Sequence, residues 1–359
     1  MPRPVDQSVL FAEVQELYKL LGHRPSRTEW QRECHRATDT VARYGGFAAF
    51  LDAALESIEP RPDFTSEPIP DEDVPLDVLL DRRRTDWQRK SAHRNAVKLI
   101  NVKVNLDGPV GVAHFGDPHI DDDGTNICEL EAHRALVIKT KGMLAANVGD
   151  QINNWVGRLA RLYGEQATSA KQAWQLCEWF IGGVDWLYLV GGNHDSWSGA
   201  TDPLKWIKGT SRTIYQPTSV RLNLKFPNGR QVRVNARHDF PGNSMWNPAH
   251  GPMKAAQMGW RDHILTCGHK HISGYGPLKC PATGIVSHAV RVASYKYVDG
   301  FADAKGFPDG NISPCVTTVI NPYAEHERDL VVVLQGLESA ADYVTYLRKR
   351  FESGRKVAK

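Results

Sequence analysis

Five short strand-like runs in this chain each end in a cluster of carboxylate, imidazole or amide side chains, and this recurrence constrains the fold more than any other feature. "VGVAHF" leads into Gly116, Asp117, Pro118 and His119, and "MLAANV" into Gly149 and Asp150, with Asn153 and Asn154 close behind. "DWLYLV" leads into Gly191, Gly192, Asn193, His194 and Asp195, "QVRVNA" into Arg237, His238 and Asp239, and "HILTC" into Gly268, His269, Lys270 and His271. Polar residues placed after the carboxyl ends of several strands gather on one rim of a sheet, where open α/β folds hold their ligands. Glycines beside them let the chain turn sharply and bring backbone close to the cluster. From Val110 onward such runs alternate with helical patterns, which predicts a layered α/β architecture. Taken singly, each piece reads more readily as turn chemistry or a hydrogen-bonded structural histidine; the ordered set is what carries weight.

The chain has 359 residues, enough for two domains at about 150 residues each. Hydrophobic residues make up 41% and charged residues 24%, values of an ordinary globular protein. No stretch approaches the roughly 18 apolar residues of a membrane span, and Met1 to Leu10 lacks a basic-then-apolar leader, so the expectation is a cytoplasmic protein with no membrane partner. Cys34, Cys128, Cys177, Cys267, Cys280 and Cys315 form no C-x-x-C pair and are expected as reduced thiols. The net charge of +3 is too mild to mark a nucleic-acid binder by composition.

The first part of the chain reads differently. Leu10, Val14, Leu17 and Leu21 recur at helical spacing from Gln7 to Leu21, and Gly22 breaks the pattern. Ser26 stands three residues before Glu29 as a capping box for a second run to about Cys34, a third run reaches Tyr44, and Phe47 to Ile58 makes another helix. Residues 1–58 are therefore expected as a small helical module, 59–75 as a proline-rich linker or strap, and 76–359 as the main domain. Met1 to Pro60 holds seven Lys/Arg against nine Asp/Glu, but Lys19 to Arg43 holds six (Lys19, Arg24, Arg27, Arg32, Arg36, Arg43) against three. A solvated helical face and a phosphate-contacting face fit that count equally. Arg82, Arg83, Arg84, Arg89, Lys90, Arg94 and Lys98 then lie against one Asp86 on an expected helix carrying Trp87, a solvated face or, on the minority reading, a nucleic-acid groove. Near the end, Leu330 to Leu334 reads as a strand and Leu337 to Leu347 as a helix, followed by a basic tail.

The ordered set D-x-H, G-D-x-x-N, G-N-H-D, a single His and G-H-x-H resembles the calcineurin-like metallophosphoesterase superfamily over roughly Pro109 to Ile272. The resemblance implies a layered β-sandwich flanked by helices and a site for two divalent ions, manganese first, iron or zinc as alternatives. It implies Asp117, His119 and His271 on one ion, Asn193, His238 and His269 on the other, and Asp150 bridging both, at the roughly 3.5 to 4 Å spacing of such pairs. The donor set suits borderline to hard ions and contains no thiolate. His194 is implied as a catalytic residue that faces the substrate and protonates or stabilises the leaving oxygen. Asp195, placed with it in the catalytic group, reads equally as a partner that orients a ligand and as a helix N-cap. Asn153 reads as another such partner. His114 and His263 fall inside apolar runs and read as core histidines; Asp121, Asp122 and Asp123 read as a solvated acidic turn, and His250 with "HDFPGNSMWNP" as loop or cleft wall.

Gly149-Asp150 continues as Gln151-Ile152-Asn153-Asn154 and the third cluster ends in Asp195, which departs from the Ser/Thr protein phosphatases of that superfamily. The set looks more like the nucleases that repair double-strand breaks, although phosphodiesterases of small nucleotides share it. "LGHRPSRTEW" followed by "VARYGGFAAFLDAAL" resembles the helix-turn-helix-like repeat associated with homing endonucleases, and "VRVASYKYVDGFADAKGFP" resembles phosphoesterases encoded by bacteriophages. The expectation is thus a DNA phosphodiesterase with DNA as partner; the alternative is a phosphatase or phosphodiesterase of small substrates whose first helices only dock or dimerise.

Overall fold

The computed structural model describes residues 5–35, 38–58, 73–197, 202–207, 212–298, 303, 306 and 309–357. These divide into two compact units, Met1–Leu79 and Leu80–Lys359.

The first unit is helical. In α1 (Gln7–Leu21) the buried residues Leu10, Val14 and Leu17 form one stripe, Asp6 caps the start by accepting the Ser8 N–H, and Gly22 ends it at φ 70°. In α2 (Arg27–Cys34) Ser26 and Glu29 make the reciprocal capping box. Thr38–Tyr44 forms a tight 3-10 segment rather than an α-helix. The last helix, α3 (Phe47–Leu55), stops short of Ile58, whose N–H closes a turn onto the Leu55 carbonyl. Trp30 and Phe50 are fully buried at the centre of this unit's core, their rings 5.3 Å apart. Three of its basic side chains bond within the unit: Arg24 to Asp52 at 2.7 Å, Arg32 to Glu33 at 2.7 Å, and Arg43 to the Val5 carbonyl at 2.9 Å. Arg36 and most of the expected linker, residues 59–72, lie outside the described residues. So do part of the segment with the phage resemblance and the end of the basic tail.

Helix α4 (Leu76–Val97) buries none of its side chains. Beyond it come β1 (Ile100–Lys103), β2 (Val110–Phe115), β3 (Met143–Asn147), β4 (Trp186–Val190), β5 (Ile214–Gln216) and β6 (Ser219–Lys225). These are followed by β7 (Gln231–Arg237), β8 (Ile264–Cys267), β9 (Gly274–Lys279), β10 (Val286–Arg291), β11 (Cys315–Ile320) and β12 (Val331–Leu334). The helices among them are α5 (Ile127–Lys139), α6 (Ala170–Ile181), the single turns α7 (Asn193–Ser196) and α8 (Leu204–Ile207), α9 (His250–Ala255) and α10 (Leu337–Val357).

Two six-stranded sheets result, ordered β12-β11-β2-β3-β4-β5 and β1-β6-β7-β8-β10-β9. They face each other across a core in which Val110, Val112, Ala146, Tyr188 and Val190 of one sheet meet Leu222, Leu224, Val234 and Ile264 of the other. The opposite face of the first sheet, carrying Ala113, Phe115, Ala145 and Leu189, is covered by Leu130 and Val137 of α5, Cys177 and Phe180 of α6, and Val344 of α10. Burial on both faces explains why β2, β3 and β4 are continuous apolar runs instead of alternating ones. Among the described residues no helix is long and apolar enough to cross a membrane, and all six cysteines are free.

His114 belongs to this core. Its ring nitrogens lie 2.6 Å from the Tyr188 hydroxyl and 2.9 Å from Thr318 Oγ1, and complete burial pushes its pKa down to about 3. The unfolded chain takes up a proton near the ordinary histidine value and the folded chain does not, so this contribution is complete above about pH 6.5 and is lost as the pH falls. One such histidine costs about 1.5 kcal/mol between pH 6.5 and pH 5. Urea unfolding of His114→Phe across that interval should show a pH dependence flatter by about that amount than the natural chain.

Candidate metal centre

In the first sheet β2, β3 and β4 run parallel, and in the second β7 and β8 do. Their carboxyl ends deliver the polar clusters: Asp117 and His119 after β2, Asp150 after β3, Asn193 and His194 after β4, His238 after β7, His269 and His271 after β8. The seven residues expected to hold ions come together there. Ligating atoms of Asp117, His119 and His271 lie within 4.8 Å of one another, and so do those of Asp150, His238 and His269. Nε2 of His238 lies 3.1 Å from Asp150 Oδ2, 2.9 Å from Asn193 Oδ1 and 3.0 Å from Nδ1 of His269. A third group joins His194 to His119 and Asp150, with His194 Nε2 4.0 Å from Asp150 Oδ2.

Several polar atoms here are enclosed without a hydrogen bond. Asp117 Oδ1 and both ring nitrogens of His119 are buried and accept or donate no hydrogen bond. Such atoms are costly in a folded protein unless something else binds them. Carboxylate, imidazole and amide donors with no thiolate near are a set that a borderline to hard divalent cation fits.

Electrostatics tells the same story. Burial raises Asp117 to about 7 against the pull of His238 and His271. Burial also opposes ionisation of Asp150, yet His238 beside it holds that carboxyl below its ordinary range. His238 responds in turn: desolvation would lower it, but Asp150 and Asp117 raise it to about 10. Burial lowers His119, His194 and His269.

The backbone is strained where the ligands stand. His119 at φ 38°, Asp150 at φ 49°, His269 at φ 70° and His271 at φ 52° all occupy the left-handed region, as does Asn154 at φ 45°. A non-glycine residue there costs of order 1–3 kcal/mol and clusters at functional sites. Two glycines make room for this geometry: a Cβ on Gly192 would strike the Asp150 carboxylate and amide, and one on Gly268 would strike Asp117 Oδ1.

Asp195 is turned away from the cluster. Its carboxylate accepts the backbone N–H groups of Gly192 at 2.7 Å, Asp150 at 2.9 Å and Gln151 at 3.2 Å, while burial and the nearby Asp150 charge push it up to about 8. The first of these bonds is the helix-capping arrangement; the other two brace Asp150. Asp195 thus braces the backbone at Gly192, Asp150 and Gln151. Asn153 takes the same part through its carbonyl, 2.6 Å from His194 Nδ1, and the Asn154 amide donates to the His194 carbonyl at 2.6 Å.

The acidic turn departs from its expected solvated state. Asp121 is 1% exposed and accepts the Asn153 N–H at 2.7 Å, Asp122 pairs with Lys296 at 3.0 Å, and Asp123 accepts the Ala167 N–H. The turn is a bracket joining the loops after β2 and β3, in which Asp121 is buried, Asp122 is paired and Asp123 stays exposed. His263 accepts the Arg233 N–H at 3.0 Å and stays in the core; His250 begins α9.

Arg291, not anticipated from the sequence, holds two of the loops. Fully buried, it donates to the Pro248 carbonyl at 2.8 Å, the Gly268 carbonyl at 2.6 Å and Asp239 Oδ1 at 3.0 Å, fixing the backbone beside His238 and His269. A charged residue inside the apolar run "SHAVRVA" is the signal that could have marked it.

No protein-family model and no curated protein matches the chain. Among solved structures it is similar to the NAD nucleotidase NadN of Haemophilus influenzae, at 12% identity and a TM-score of 0.35 over 64% of this chain and 50% of that one. It is also similar to the calcineurin-like phosphoesterase YfkN of Bacillus subtilis, at 11% identity and a TM-score of 0.34 over 71% of this chain and 100% of that one. Vacuolar Protein Sorting 29 of Cryptosporidium parvum shows 15% identity and a TM-score of 0.33, over 64% and 98% of the two chains. The match thus spans half the length of the nucleotidase. Likenesses of this size leave the chemistry to be argued from the site.

Removing the brace beneath Asp150 should loosen the centre without deleting a donor. Manganese titration of Asp195→Ala by calorimetry is expected to show binding about 10- to 100-fold weaker than in the natural chain. Unchanged affinity would show that the three amide bonds do not hold Asp150 in place.

Proposed function

We propose that this protein is a metal-dependent phosphoesterase that holds two divalent ions through Asp117, His119, Asp150, Asn193, His238, His269 and His271, and that its substrate is a DNA phosphodiester. The observation that carries the reading is the enclosed donor set: Asp117 Oδ1 and both nitrogens of His119 make no hydrogen bond and stand amid further donors on strained backbone. When bound, a pair of such ions polarises the phosphoryl oxygens, lowers the pKa of water and clamps an in-line displacement.

The chain's own residues supply the rest. Because Nδ1 of His194 is engaged by the Asn153 carbonyl, that nitrogen carries a proton, and Nε2 is the atom left to give or take one at the leaving oxygen. Asp195 keeps Asp150 in register, and Arg291 keeps the His238 and His269 loops together. Manganese is the proposed ion, with iron or zinc as alternatives for the same donors.

DNA as substrate is supported by α4, whose Arg82, Arg83, Lys90 and Arg94 stand on a helix with no buried side chain, beside Trp87 at 70% exposure. A basic helix with an exposed indole suits a polyanion that also offers bases. The internal bonds of Arg24, Arg32 and Arg43 favour a second reading, in which the substrate is a small phosphoester and the first helices serve docking.

The purified protein with manganese, offered single- and double-stranded DNA, a mononucleotide and a phosphopeptide, separates the two: cleavage of DNA is expected, and cleavage of the mononucleotide alone would establish the second. His194→Ala should lower turnover roughly 100- to 10,000-fold while elemental analysis still finds two ions per chain. Exchanging Arg82, Arg83, Lys90 and Arg94 for Gln should weaken DNA binding and reduce the slope of log K against log salt by roughly one for every phosphate no longer neutralised. A slope unchanged by the four exchanges removes α4 from the interface.

A further inference from the structure

Two indoles enclose the ring of His194. The Trp197 ring centre lies 4.0 Å from that of the imidazole, and the Trp155 ring lies 5.3 Å away, edge to face. The two indoles are 6.1 Å apart, and His119 closes a third side at 4.9 Å with its plane nearly perpendicular. Trp155 is itself held, its Nε1 donating to Gln166 Oε1 at 3.0 Å. Trp197 stands three residues after His194, one turn along the chain, where its N–H bonds to the His194 carbonyl at 3.2 Å.

We propose that Trp155 and Trp197 are positioning residues of the hydrolytic reaction, forming an aromatic socket that fixes the plane of the His194 ring. The proposal rests on the phosphoesterase reading above. The hydrogen bond from Nδ1 to the Asn153 carbonyl fixes one point of the ring, but the torsion that turns an imidazole about its Cβ–Cγ bond is broad and leaves the far nitrogen free to swing. The tilted Trp197 ring on one side and the edge-to-face Trp155 ring on another restrict that freedom and hold Nε2 4.0 Å from Asp150 Oδ2. Proton transfer tolerates little misplacement: an error of about 1 Å is enough for a roughly 100-fold loss of rate. One short segment does most of this work. The Asn153 carbonyl, the Asn154 amide and the Trp155 ring all meet His194, so the residues after Asp150 secure the proton carrier.

The test compares steady-state hydrolysis of an oligonucleotide, with manganese, by the natural chain, Trp197→Ala, Trp155→Ala, the corresponding Phe variants, His194→Ala and the double variant His194→Ala/Trp197→Ala. The alanine variants should lose about 10- to 100-fold in kcat with KM within about twofold, and the Phe variants should recover most of it. In the His194→Ala background, Trp197→Ala should change kcat by less than about twofold, because a residue acting through the imidazole has nothing left to act on. A second readout needs no turnover: nitrogen-15 NMR of the imidazoles should show His194 as one tautomer, protonated at Nδ1, in the natural chain and as an average of both in Trp197→Ala. Where an alanine variant does not fold, Leu at the same position fills volume without a flat face and is read in the same way. A loss that persists in the His194→Ala background overturns the proposal. So does a rise in KM at unchanged kcat, which would make the indoles a stacking surface for a base. If the natural chain hydrolyses no phosphoester at all, the functional reading itself fails; if it does and the Trp variants match it, only the socket fails.

Discussion

Two carboxylates, Asp117 and Asp150, are shut away from water beside five imidazoles, and the rest of the rim is arranged around that unfavourable act. An ionised carboxylate removed from water is stable only where cations or donors surround it. His238 answers both, lying 3.1 Å from Asp150 Oδ2 and 3.8 Å from Asp117 Oδ1. Backbone amides complete the enclosure, since the N–H of His269 reaches Asp117 and that of His194 reaches Asp150. Those amides can approach only because Gly268 and Gly192 carry no side chain.

Much of this was legible in the amino-acid sequence for a physical reason. Strands β2, β3 and β4 are covered on both faces, so they appear as unbroken apolar runs, and each stops where the chain leaves the core and turns polar. Strands that lack such cover, or that glycine and proline interrupt, were silent: β9 reads "GYGPLK" and pairs antiparallel with β10 all the same. The candidate ligands could be picked out because their identity is their chemistry. The parts played by Arg291, Asp121, Trp155 and Trp197 could not be read in the same way, because they depend on what stands opposite them. Arg291 reaches a carbonyl 43 positions away, and Asp121 an amide 32 positions away. Local composition cannot report pairings between such distant stretches, and an acidic triplet looks solvated until its partners are known.

The helical unit follows the opposite logic. Its periodicity and its Ser26 capping box were readable, yet its chemistry is not inscribed in any donor set. Half of the arginines and lysines counted over its basic stretch are tied to an acid or a carbonyl of the same unit. What it does follows from the surface it presents, whereas the sandwich carries its chemistry in the rim.

The left-handed backbone at His119, Asp150, His269 and His271 has an evolutionary corollary. Glycine would relax each of these positions, and asparagine would do so in part, so a descendant relieved of any need for cations would gain robustness by drifting toward them. Ring-bearing and acidic residues in such cramped conformations are a standing sacrifice of resilience, a compromise of the kind that functional sites make.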